Sequence, residues 1–128
     1  MLKTFFREWN RIGIAKQEDF AILTNEITKA WAGKTVKEYK QFKGLKKENL
    51  RDNMTNIELI LNMLAEATTK EISEKENPTT FNKSKEIARE GGKTARVAKD
   101  RIEKRLGDKV VTPKNAKEIH FTTKKRIN

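Results

Sequence analysis

The sequence predicts an all-α protein, a compact bundle of about five helices. Three observations carry that expectation. Apolar residues recur at helical spacing in each candidate element, and no region is strand-rich. Turn and cap residues punctuate the chain at helix-sized intervals. Small residues at Ser84, Ala88, Gly91, Ala95 and Ala98, followed by Ile102, keep a heptad rhythm along a long C-terminal helix.

Leu2, Phe5, Phe6 and Trp9 share one side of a short helix predicted over 2–11, which Gly13 ends. Phe20, Leu23, Ile27, Ala30 and Trp31 do the same over 17–31, with Gly33 as the stop. Thr35 caps a short helix from Val36 to Phe42 that closes at Gly44. Thr55 and Glu58 form a capping box for the next helix, and Ile57, Ile60, Leu61, Leu64 and Ala67, widened by Leu59 and Met63, give it a broad face expected to be central. That helix should end before Pro78.

The last helix, expected over about 79–106, contains adjacent glycines, Gly91 and Gly92. A pair of glycines costs roughly 1 kcal/mol per residue relative to alanine. The small-residue seam keeps its phase across them, however, and a hinge would have no reason to do so. One continuous helix with a close-packing seam is therefore expected, with Gly107 as its stop. Downstream, Thr112 is read as a cap before Pro113, continuing through Asn115–Ile119, and 121–128 as a disordered basic tail. Residues 1–120 read as a single domain.

The chain has 128 residues, of which 35% are hydrophobic and 37% charged, and no cysteine. Disulfides and thiolate metal sites are excluded. No run approaches the ~20 apolar residues of a membrane span, and the N-terminus lacks the apolar core of a signal peptide. The expectation is a soluble cytoplasmic protein without membrane contact. A lone histidine, His120, near a predicted tail, two serines, and the lack of HExxH, CxxC or phosphate-loop patterns argue against an enzyme, a metal site or a cofactor. Glu58 and Asn62, four apart on the most apolar helix, read either as a polar site or as groups that satisfy buried partners.

Net charge is +11, unevenly placed. Residues 34–47 hold six lysines against one glutamate, whereas 48–83 carry seven acidic and four basic residues. Such an asymmetry favours anionic partners, nucleic acid first. Two surfaces are candidates. Lys37, Lys40, Lys43, Lys46 and Lys47, with Lys34 and the rings of Tyr39 and Phe42, combine positive charge with stacking groups, as a single strand requires. Phe42 also fits a core position. Lys85, Arg89, Lys93 and Arg96 form a stripe along the long helix, diluted by Glu86, Glu90, Asp100 and Glu103. Neither resembles a reading head, so contact would follow phosphates rather than sequence.

"EDFAILTNE" (18–26), "KGLKKENLRDNMTNIELILNMLAEATT" (43–69) and "AREGGKTARVAKDRIEKRLGDKVV" (88–111) together resemble the C-terminal region of DNA-damage-inducible protein D and related BRO-type prophage proteins. The likeness covers roughly 13–116. It implies a role in the damage response or mobile-element regulation, with DNA or a DNA-bound protein such as a RecA filament as partner. The BRO-type domain that commonly precedes this region in relatives is not part of the sequence, so its DNA recognition is not carried over. The resemblance carries no catalytic motif. A non-enzymatic binding module is expected. The alternative is a protein-interaction module in which the 84–102 seam pairs two chains, so both monomer and homodimer stay open.

Overall fold

The computed structural model describes residues 17–119, and every regular element among them is helical. Helix α1 spans Gln17–Ala32, α2 Val36–Phe42, α3 Asn56–Glu76 and α4 Phe81–Leu106, with a 3-10 turn at Arg51–Asn53 before α3. The predicted helix over 2–11, His120 and the tail lie outside the described residues.

Local chemistry sets the boundaries. Thr35 accepts the Glu38 amide while the Glu38 carboxylate takes the Thr35 amide, and Thr55 and Glu58 repeat this box at the start of α3. Thr80 caps α4 through the Lys83 amide. Gly33, Gly44 and Gly107 follow α1, α2 and α4 with φ of 75°, 71° and 80°, a left-handed turn that glycine adopts without strain. Asn77 serves α3 in the same way at φ 48°, ahead of Pro78.

Helix α4 is unbroken through its glycines and packs on both α1 and α3, far more extensively than those two pack on each other. The two glycines serve different neighbours. A Cβ on Gly91 would collide with the Thr69 hydroxyl and come within 2.8 Å of the Ala65 carbonyl on α3. One on Gly92 would lie 2.5 Å from Ala30 Cβ and 2.6 Å from the Ile27 carbonyl on α1. The pair is a double close approach that lets α4 wedge against two helices at once. Ser84, Ala88, Gly91 and Ala95 are buried, and Ala98 and Ile102 half-buried, so the seam is used within the chain.

The core gathers Leu23, Ile27, Trp31, Tyr39, Leu50, Met54, Leu61, Ala65, Ala88, Ala95 and Val110. Trp31 and Tyr39 stack at a tilt of 60°, with centroids 6.1 Å apart.

The apolar face expected for α3 is corrected here. Leu61 alone of that set is buried; Ile60 is 58% exposed and Leu64 37%. The buried face is instead Glu58, Leu61, Asn62, Ala65, Glu66, Thr69 and Ser73. Glu58, Asn62 and Glu66 are met there by partners on other elements, and Thr69 returns its hydroxyl to the Ala65 carbonyl of its own helix. The downstream cap also moves. Asn115 Oδ1 accepts the Lys117 amide and opens a single turn at 116–119, whereas Thr112 Oγ1 is buried without a partner.

Candidate nucleic-acid interface

Polar side chains on α3 organise two buried networks. In the first, Glu58 Oε1 accepts the Thr55 amide at 3.0 Å and the Lys43 ammonium at 2.8 Å, and Glu58 Oε2 accepts the Tyr39 hydroxyl. Lys43 Nζ also donates to the Lys114 carbonyl, Asn115 Nδ2 donates to the Lys43 carbonyl, and the Ala116 amide donates to Asn53 Oδ1. The segment after α4 is thereby tied to α2 and to the turn before α3. Burial, reinforced by the bond to Glu58, pushes the Tyr39 hydroxyl well above the usual phenol range.

In the second network Trp31 Nε1 donates to Asn62 Oδ1 at 3.1 Å, and Asn62 Nδ2 donates to Glu66 Oε1 at 3.2 Å. Arg51 Nη1 donates to the same Glu66 oxygen at 2.5 Å. Glu58 and Asn62 are thus both hydrogen-bonded inside the fold.

Lys43 belongs to the interior. Its side chain is fully buried against Glu58, so it is not a surface cation for a nucleic acid, and its place among the groove lysines is corrected. At this depth an ammonium needs a carboxylate and further acceptors, and Glu58 and the Lys114 carbonyl supply them. Tyr39 is likewise buried, and Phe42 is exposed under the Lys34 ammonium, 4.4 Å from its ring centroid.

Lys37, Lys40 and Lys46 line an open groove of about 690 Å³ between α1, α2 and the loop after α2. Phe20, Val36 and Leu45 give it an apolar lining, and Thr24, Asn25 and Gln41 add polar groups. Asn25 fixes its wall, accepting the Val36 amide on Oδ1 at 3.0 Å and so joining α1 to the first turn of α2. Lys37, Lys40, Lys46 and neighbouring Lys47 make no ion pair with any described residue, which leaves their charge open to solvent.

The α4 stripe differs. Arg89 Nε donates to Glu26 at 2.8 Å, and this bond holds the Glu26 carboxyl below its usual range and raises Arg89. Arg96 pairs with Asp100, and Lys85 lies over the Phe81 ring. Lys93 is exposed without an ion pair among the described residues. Carboxylates thus neutralise much of this stripe, and the groove carries the denser open charge.

Sequence reasoning missed Arg51, Glu66 and Trp31 as hydrogen-bonding residues. One signal was present: Glu58, Asn62, Glu66, Thr69 and Ser73 follow at steps of 4, 4, 3 and 4, a polar stripe at helical spacing. Nothing local marks Arg51 as the partner of Glu66.

Fold and groove define a small all-helical domain with a solvent-open basic groove and a core tied by buried polar networks. No described helix is long and apolar enough to cross a membrane, and the described residues hold no cluster of three or more metal-ligating side chains. The family model for the DinD C-terminal domain matches residues 3–125, so the chain belongs to the DinD C-terminal domain family. That membership supports a DNA-damage-related role. Neither the curated proteins nor the solved structures yield a match.

Proposed function

We propose that the chain is a non-enzymatic binding module of the DNA-damage response that holds DNA by its phosphates along the α1–α2 groove. The observation that carries this reading is the set of open lysines, Lys37, Lys40 and Lys46, beside the apolar lining of one groove. Lysines release condensed counterions when they meet phosphates, which gives affinity without sequence readout. Apolar walls between them suit unstacked bases, so a single strand fits better than a duplex. Lys47 extends the positive rim, and Lys93 adds attraction from α4.

Fluorescence anisotropy with labelled single- and double-stranded DNA tests this. With three groove contacts, the logarithm of single-strand affinity should fall with the logarithm of salt at a slope of about −2. Affinity then weakens roughly twentyfold between about 50 mM and 200 mM salt. Lys37→Gln, Lys40→Gln and Lys46→Gln should each flatten the slope by about 0.7. Absence of binding at the lower salt would exclude direct phosphate contact and turn the search to a DNA-bound protein partner.

A further inference from the structure

The C-terminal end of α4 holds an open pocket of about 460 Å³, lined by Ala98, Arg101, Ile102, Arg105 and Leu106. Side chains four apart on a helix form parallel ridges. Ala98, Ile102 and Leu106 make one ridge here, and Val97, Arg101 and Arg105 the next. Ala98 and Ile102 pack partly buried against the core, whereas Leu106 is 66% exposed and Val97 69%. Apolar surface and guanidinium groups thus lie side by side along the last turns of the helix.

The positive charge on this face is open. Arg101 and Arg105 make no ion pair with any described residue. The neighbouring carboxylates are engaged elsewhere: Asp100 pairs with Arg96 and Lys99, and Glu103 Oε2 accepts the Val110 amide at 2.9 Å. A helix C-terminus favours a cation within its last turn, which accounts for Arg105. It accounts neither for Arg101, one turn earlier, nor for the exposed Leu106 and Val97.

The chemistry separates this face from the lysine groove. Arginine is enriched and lysine depleted in protein interfaces, because the planar guanidinium holds a carboxylate by two parallel hydrogen bonds. Carboxylates four apart on a partner helix repeat at about 6 Å, the spacing of Arg101 and Arg105. Aliphatic side chains beside them would settle between the two ridges. The chain's own segments outside the described residues are the wrong sign: 1–16 carry four basic residues against one acidic, and 120–128 three against none.

We infer that this pocket is a second docking surface, which takes an acidic amphipathic helix of another protein, with carboxylates on Arg101 and Arg105 and aliphatic side chains against Ile102 and Leu106. No lining residue is shared with the groove, so the two readings stand or fall separately.

The test titrates the 15N-labelled chain with a synthetic amphipathic peptide of about fifteen residues, with leucine at every fourth position and glutamates beside them, and with its twin carrying glutamine for glutamate. The acidic peptide should move the amide resonances of 98–106, and the twin should leave them in place. Arg101→Gln with Arg105→Gln should weaken binding at least about tenfold, the equivalent of one hydrogen bond to a charged group. Leu106→Ser should weaken it as well. All three side chains are exposed, so the substitutions leave the packing intact. Lys75→Gln with Lys83→Gln removes the same charge at the opposite end of α4, well beyond a Debye length of about 8 Å, and should change affinity less than about twofold. Shifts centred on 37–47, equal responses to both peptides, or no shift at about 1 mM peptide would each overturn the proposal. So would a dT strand that moves the 98–106 resonances, which would assign the face to nucleic acid, or an oligomer that Arg101→Gln dissolves, which would place a second copy there.

Discussion

The Tyr39 hydroxyl and the Lys43 ammonium both end on the Glu58 carboxylate, which also closes the capping box of α3. One side chain thus starts a helix, neutralises a buried cation and anchors a phenol. Removing one member strands the others. Lys43→Met should lower unfolding free energy by about 3–5 kcal/mol, measured by urea denaturation. Replacing both charges, as Lys43→Met with Glu58→Leu, should recover part of that loss, since no unpaired charge then remains inside. Tyr39 sets an alkaline limit. Its folded value is raised, so its contribution is fully present below the unfolded phenol value of about 10 and is lost as pH rises beyond it. A pH series of denaturation midpoints should therefore fall above that point, and less steeply in Tyr39→Phe. Glu26 runs in the opposite direction. Arg89 depresses its folded value, so this contribution is present above the ordinary carboxylate range and disappears as pH falls through the lowered value. Arg89→Gln should remove that acid-side component.

Helix α4 owes its position to two absent side chains. At an exposed helical site, glycine to alanine would stabilise by about 1 kcal/mol. Here the added methyl meets backbone carbonyls, Ala65 for Gly91 and Ile27 for Gly92, and a carbonyl inside a helix has no rotamer to retreat into. Overpacking of this kind costs about 1–3 kcal/mol. Gly91→Ala and Gly92→Ala should each lower the melting temperature despite their better helix propensity. Adding Thr69→Ala to Gly91→Ala should relieve part of the clash but not all, because the Ala65 carbonyl stays in place. The heptad phase through the glycines foretold an unbroken helix and close approach at Gly91. It did not foretell the role of Gly92, since the second neighbour, α1, lies off the seam.

Across the whole molecule, α4 is clamped between α1 and α3, while α2 and its following loop lie over α1 and enclose the groove. The segment after α4 returns to this end of the fold, held by Lys43 and Asn53. With its small-residue seam satisfied internally, the chain is expected to be monomeric; light scattering coupled to size exclusion checks this, and a dimer mass would show that a different surface pairs the chains. Helix type, helix limits and the continuity of α4 were legible in the amino-acid order. Caps such as Thr55 with Glu58, left-handed glycines and a repeating seam act within a few residues of one another, so spacing alone displays them. Interior charge is another matter. Lys43 reads like its neighbours Lys40 and Lys46 until Glu58 and the Lys114 carbonyl, 15 and 71 residues away, close around it. Glu66, itself buried, gains its ion pair once the half-buried Arg51 folds over α3, and the groove exists once α2 lies against α1. Burying a charge is tolerable where distant partners converge on it, and that convergence is a property of tertiary packing.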